Sequence, residues 1–281
     1  MRCWRMKQHF LVFAVIVGVT VSLTAFRLIG QPSVTSTIVE PIEPTPLEIA
    51  ASEVEKGLNR FFPLLSGSIF DSIPFDQANR TASTTNSDND AFLDCEVYDF
   101  GTVDDDGYGG IVKICDEGSV LKYVFENFQT PSETWTGWIT SPDTDQFPSG
   151  NYAWELSVQT PQETEQWQGS VTVVQQATEK FALHGTLQLS DAQGDFQLTV
   201  SNTNPLLIDA TQPALLSRGG STLTFTEPNG VARQGAWTVL NIGVSRLWID
   251  ENNNNSVDNG ETVNINYDAQ TGTWKVATLV R

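Results

Sequence analysis

The chain has 281 residues, enough for one large domain or two small ones. Hydrophobic residues make up 40% of it and charged ones 17%, so a well-packed core is expected. The formal net charge of −19 argues against nucleic acid and anionic lipid headgroups as partners and favours divalent cations in a soluble exported domain.

Residues 1–30 read as a targeting segment. Arg2, Arg5 and Lys7 precede an apolar run from Phe10 to Phe26. A positive start followed by such a run is an export signal that places the remainder across the membrane. Two forms stay open, a cleaved signal peptide and an uncleaved membrane anchor. Leu23 before Ala25 makes a poor small-x-small cleavage site, yet 17 residues at 1.5 Å each are short for a membrane helix.

Residues 31–44 carry Pro32, Pro41 and Pro44 without periodicity and read as an extended linker. A helical segment is expected over 45–76. Thr45, Pro46 and Glu48 supply an N-cap, a first-turn proline and the acidic partner of a capping box. Leu47, Ala51, Val54, Leu58, Phe61, Phe62 and Leu65 recur at helical spacing, with Glu53, Glu55, Lys56 and Asn59 opposite. Residues 77–91, rich in Ser, Thr, Asn and Asp, read as a flexible connection.

From residue 92 to 281 the period changes to two, and the fold class is mainly β. An antiparallel sandwich, barrel or curved meander should follow the apolar segment and the single amphipathic helix. Phe181, Leu183, Leu187 and Leu189 alternate with Ala182, His184, Thr186 and Gln188. Turn chemistry recurs at Asp191–Gly194, Glu227–Gly230 and Asp268–Gly272. Cys95 and Cys115 are centred on the Asp104–Gly107 tip, so a hairpin there would bring them face to face on neighbouring strands. In an oxidising compartment they form a disulfide.

The most specific stretch is the run 250–261. Asp250, Asn252, Asn254, Asp258 and Glu261 place oxygen side chains at positions 1, 3, 5, 9 and 12 of a twelve-residue loop, and Ser256 offers its backbone carbonyl at position 7. Asp258 sits where coordination often runs through water, and Glu261 where a bidentate carboxylate closes the shell. The stretch resembles the EF-hand calcium loop over these twelve residues alone. The resemblance implies bound Ca²⁺ and an apolar Val257 packed under the loop. Asn255 stands where the family has a turn glycine, and Asn tolerates a left-handed backbone. The flanks, Val244–Ile249 and Thr262–Tyr267, read as strands, so the loop would stiffen a β connection.

Catalytic constellations are scarce. The sequence has no Gly-x-Ser-x-Gly elbow, no His-Glu-x-x-His and no Cys/His zinc spacing, and His184, the only His outside the targeting segment, lies on a strand pattern. The reading leans away from an enzyme, towards a binding or structural protein of the envelope or extracellular space. Rivals are a glycoside-type hydrolase using two carboxylates and a polysaccharide-binding module using exposed Trp. A lipid-carrying concave sheet is a further alternative, and it requires a large open apolar face. Trp135, Trp138, Trp154, Trp167, Trp237, Trp248 and Trp274 all fall in strand-like segments, where core packing competes with sugar stacking.

Overall fold

Helix α1 (Pro46–Leu65) opens the fold with the expected capping box. The Glu48 amide donates to Thr45 Oγ1 at 3.2 Å and the Thr45 amide donates to Glu48 Oε2 at 2.8 Å, which satisfies two helix-end donors reciprocally. The computed structural model describes residues 44–65, 73–85, 93–103, 106–142, 149–211 and 216–277. The expected targeting segment, and all of the expected linker except Pro44, lie outside them. Among the described residues no helix is long and apolar enough to cross a membrane.

The strands among the described residues are β1 (Asn79–Thr85), β2 (Leu93–Gly101), β3 (Gly109–Asp116), β4 (Val120–Gln129), β5 (Thr134–Pro142), β6 (Gly150–Gln159), β7 (Thr164–Ala177) and β8 (Lys180–Asp191). They continue as β9 (Gly194–Val200), β10 (Leu206–Asp209), β11 (Leu216–Thr226), β12 (Ala232–Asn241), β13 (Val244–Ile249), β14 (Thr262–Asp268) and β15 (Thr273–Val276). All belong to one antiparallel sheet in which each strand lies beside its chain neighbour. The one irregularity is a split position. β9 and β10 both pair with β8 on one side and β11 on the other, so together they act as a single interrupted strand.

The turns form where their chemistry places them. Asp191 pairs with Gly194 across a two-residue hairpin. Gly230 (φ 85°) and Gly272 (φ 71°) close their turns through hydrogen bonds to Glu227 O and Asp268 O, both 2.8 Å. Along β8, Phe181, Leu183, Leu187 and Leu189 are buried as the alternation requires. Cys95 and Cys115 are directly opposed across β2 and β3, with their Cα atoms 4.1 Å apart, and they form a disulfide.

Three expectations need correction. The segment read as a flexible connection contains β1, whose seven residues pair in unbroken register with β2. Asn79, Arg80 and Thr81 are exposed, as suits a polar edge strand. Pairing with an existing strand outweighs the weak local preference there. The helix also ends at Leu65, and residues 73–78 are not helical. Moreover, Glu53, placed on the polar side by the helical period, is only 2% exposed. The side opposite the apolar stripe meets the sheet as well.

How the sheet meets α1 follows from two adjacent residues. Asn59 exchanges hydrogen bonds with the backbone of Trp274 on β15, while Arg60 makes two bonds to Glu133 at the start of β5. Those strands are about nine spacings apart in the sheet order, on the order of 43 Å if the sheet were flat. Neighbouring side chains cannot span that distance, so the sheet curls around the helix. Leu47, Ala50, Ala51, Val54 and Leu58 of α1 join residues of β3 to β15 in one apolar core. Burying each Leu or Val contributes roughly 1.5–3 kcal/mol. The concave apolar face, which a lipid carrier would leave open, is thus covered by the protein's own helix.

A paired motif anchors Arg60. Thr130-Pro131-Ser132-Glu133 and Thr160-Pro161-Gln162-Glu163 form equivalent turns, each with the Thr hydroxyl accepting the Glu amide at 3.1 Å. A Glu-x-Trp step accompanies each turn, starting at the turn's own Glu133 in the first and two residues past Glu163 in the second. Trp135 donates to Glu133 and Trp167 to Glu165, both at 2.7 Å. The Arg60 guanidinium pairs with both carboxylates and lies 5.9 and 5.4 Å from the two ring centres.

Candidate metal site

β13 and β14 pair from Val244↔Asn266 to Trp248↔Thr262, and residues 250–261 form the excursion between them. Leu247, Ile249, Val263 and Ile265 point into the core, which fixes the two ends of the loop. The Asp250 amide donates to Gln234 O at 2.8 Å and the Ile249 amide to Glu261 O at 3.1 Å. Both ends of the loop are therefore held by backbone bonds before any side chain acts.

The expected ligands fall into two groups. Asp250 and Glu261, 2% and 4% exposed, sit at the base. Asp250 accepts the amides of Asn254 (3.0 Å) and Asn255 (2.8 Å), curling the chain around its carboxylate. Glu261 accepts the amides of Glu251 (3.0 Å) and Asp258 (2.9 Å). Asn252, Asn254 and Asp258 form the exposed rim. The amide groups of Asn252 and Asn254 both donate to Asp258 Oδ2, at 2.7 and 2.6 Å. These two bonds, Asn252 first, hold the Asp258 carboxyl below its ordinary range. Asn254 and Asp258 link the groups, since each meets a base carboxylate through its backbone and a rim partner through its side chain.

The left-handed turn sits where the missing glycine would. Asn255 has φ 57° and Asn253 φ 59°. The Ser256 amide is taken by Asn254 Oδ1 at 2.7 Å. One implication of the resemblance fails: Val257 is 62% exposed. The loop projects from the sheet, and the core at its base is already occupied by Ile249 and Val263. Position 8 has nothing left to pack against.

The donor set is oxygen throughout, which suits a hard cation. Among the described residues no three His, Cys, Asp or Glu side chains converge as a metal-holding group. A cation here would therefore rest on amide and carbonyl oxygens as much as on carboxylates. A half-turn of the Asn252 and Asn254 amides would exchange NH₂ for oxygen beside Asp258, at the loss of their bonds to the Asn254 and Ser256 amides. Among the described residues no Lys or Arg pairs with Asp250, Asp258 or Glu261.

Sequence reasoning missed the role of Glu251. Its carboxylate accepts the Leu47 amide at 3.0 Å, capping α1 from 204 residues away. Its carbonyl accepts from Arg233, which also pairs with Glu227 at 2.7 Å. Position 2 of a calcium loop carries no ligand, so nothing in the spacing marks it.

The other candidate surfaces are less open than their rivals require. Trp135, Trp154, Trp167, Trp237 and Trp274 are buried, while the half-buried Trp138 and Trp248 lie on β5 and β13, far apart in strand order. The acids that the structure gathers, Glu53, Glu163, Glu165 and Asp191, lie against α1 and share Lys56. Compared with family models, curated proteins and solved structures, the chain matches none.

Proposed function

We propose that the chain is an exported β-domain, secreted or anchored through its N-terminal segment, that acts as a binding or structural protein of the envelope or extracellular space. One structural Ca²⁺ ion stiffens its C-terminal loop. The observation that carries this reading is the conformation of residues 250–261. Two buried carboxylates stand at the base, three oxygen-bearing side chains meet at the rim, and a left-handed turn falls at position 6. Asp250, Asn252 and Asn254 would each offer a side-chain oxygen, Ser256 its carbonyl, Asp258 a water-mediated contact and Glu261 both carboxylate oxygens. Asp250, Asp258 and Glu261 bring three negative charges to one loop, which a divalent cation would largely offset. In a curved meander the ion would hold two core strands together, with no helix pair for it to open. The disulfide supports an oxidising compartment.

Thermal melting of the purified full chain with calcium and with excess chelator tests the reading. At a tenfold excess of calcium over its dissociation constant, the stabilisation expected is about 1.4 kcal/mol, or a few degrees in Tm. An identical Tm in both conditions, with the chelated protein shown to be metal-free, overturns it.

A further inference from the structure

Lys56 of α1 is asked to serve four carboxylates. Its ammonium lies 2.8 Å from Glu163, 2.9 Å from Asp191, 3.2 Å from Glu53 and 3.9 Å from Glu165. These come from the β6–β7 turn, the end of β8, α1 itself and β7. Three N–H donors cannot satisfy four anions, and Arg60, one helical turn further on, is engaged by Glu133 and Glu165. Glu53 is left worst placed. One oxygen meets Lys56 at 3.2 Å, and the other, Oε2, is sealed from solvent with no hydrogen-bond partner. A buried oxygen in that state strongly prefers to be part of a neutral carboxyl.

Beneath the same stretch of helix lies an apolar hollow of about 30 Å³, lined by Gly57, Leu58, Val171, Leu187, Leu198 and Trp237 among others. The Trp237 indole N–H has no acceptor. Apart from the apolar packing, α1 is held at its sides by contacts that converge on few residues: Lys56 and Arg60 on the acids, Asn59 on Trp274, Glu55 on the Val276 amide (2.7 Å) and Glu251 on the Leu47 amide.

We propose that α1 is a proton-latched lid, seated over the hollow while Glu53 carries a proton and loosened when Glu53 ionises. Ionisation raises the cluster Glu53, Glu133, Glu163, Glu165, Asp191, Lys56 and Arg60 from a net charge of about −2 to about −3 in a site with little water. Burial, opposed by Lys56 and reinforced by Asp191 and Glu163, lifts the Glu53 carboxyl to about 7 from an ordinary value of 4.5. In the released helix Glu53 meets water and returns to its ordinary range. The seated state therefore binds the proton more tightly. Its advantage is complete below about pH 4.5, fades as pH rises towards 7, and is flat above that. Release would bare Leu47, Val54 and Leu58 together with the wall of the hollow.

Hydrogen exchange of the α1 amides in the full chain, corrected for intrinsic rates, tests the latch at pH 5 and pH 8. The opening constant of α1 should rise on the order of 50-fold or more in the wild type. In Glu53→Gln, which mimics the neutral carboxyl, it should change less than about threefold, and the amides of β6 to β8 should be insensitive in both. A wild-type helix with constant protection overturns the proposal, as does an equal rise in Glu53→Gln. Should that variant not fold, the carboxyl carbon resonances of the wild type decide: one Glu must titrate near neutrality, and its absence overturns the latch.

Discussion

At Gly57 and Gly169 the same missing Cβ has opposite consequences. Gly57 lies in α1, and a Cβ there would meet only Leu187 Cδ2, at an ordinary 3.7 Å. Gly57→Ala should stabilise the protein by about 0.5–1 kcal/mol, because alanine loses less backbone entropy on entering a helix. Gly169 lies on β7, where a Cβ would come within 2.3 Å of Trp154 Cζ2 and 2.6 Å of Thr186 O. The indole is buried and the carbonyl belongs to a paired strand, so neither gives way cheaply. Gly169→Ala should destabilise by about 1–3 kcal/mol. Urea denaturation of the two variants checks both signs, and a shift in the same direction for each would contradict this packing.

At the scale of elements, the hairpin β2–β3 is closed by Cys95–Cys115 at a sequence separation of 20. Removing that constraint should cost about 3 kcal/mol through the entropy of the unfolded chain. Replacing both cysteines with serine should lower the urea midpoint accordingly; an unchanged midpoint would show that the hairpin is held by its ladder alone. This element was legible in the sequence because its signals are local: two cysteines symmetric about an Asp/Gly tip. The same holds for the capping box at Thr45 and Glu48, the turn at Asp191–Gly194 and the oxygen spacing from Asp250 to Glu261. What could not be read depends on distant partners. Glu53 looks solvent-facing by helical period, and only strands more than 100 residues away bury it. β1 looks like a connection because its Ser, Thr and Asn residues have weak strand preference, and pairing with β2 decides its form. One signal was present and unread: the repeated Thr-Pro-x-Glu turns at 130–133 and 160–163, each leading into a Glu-x-Trp step that cradles Arg60.

Among the described residues, neighbouring strands follow one another in a single antiparallel sheet packed on one helix, and polar contacts join α1 to that sheet at β15 and along the stretch from β5 to β8. Two polar clusters set that junction. On one side Glu53, set among the acids around Lys56, is the proposed proton latch. On the other, Glu251 ties the 250–261 loop to the first turn of α1, so whatever orders the loop also steadies the helix. Both are consistent with a chain whose acidic balance favours cations over anions. Calcium uptake by the 250–261 loop, as proposed above, is read out by calorimetric titration of the full chain after chelator treatment and dialysis. The result expected is one saturable site per chain with a dissociation constant of about 10⁻³ M or tighter, abolished by Glu261→Gln. No saturable heat up to about 10 mM calcium, well above the range of extracellular calcium modules, would contradict it.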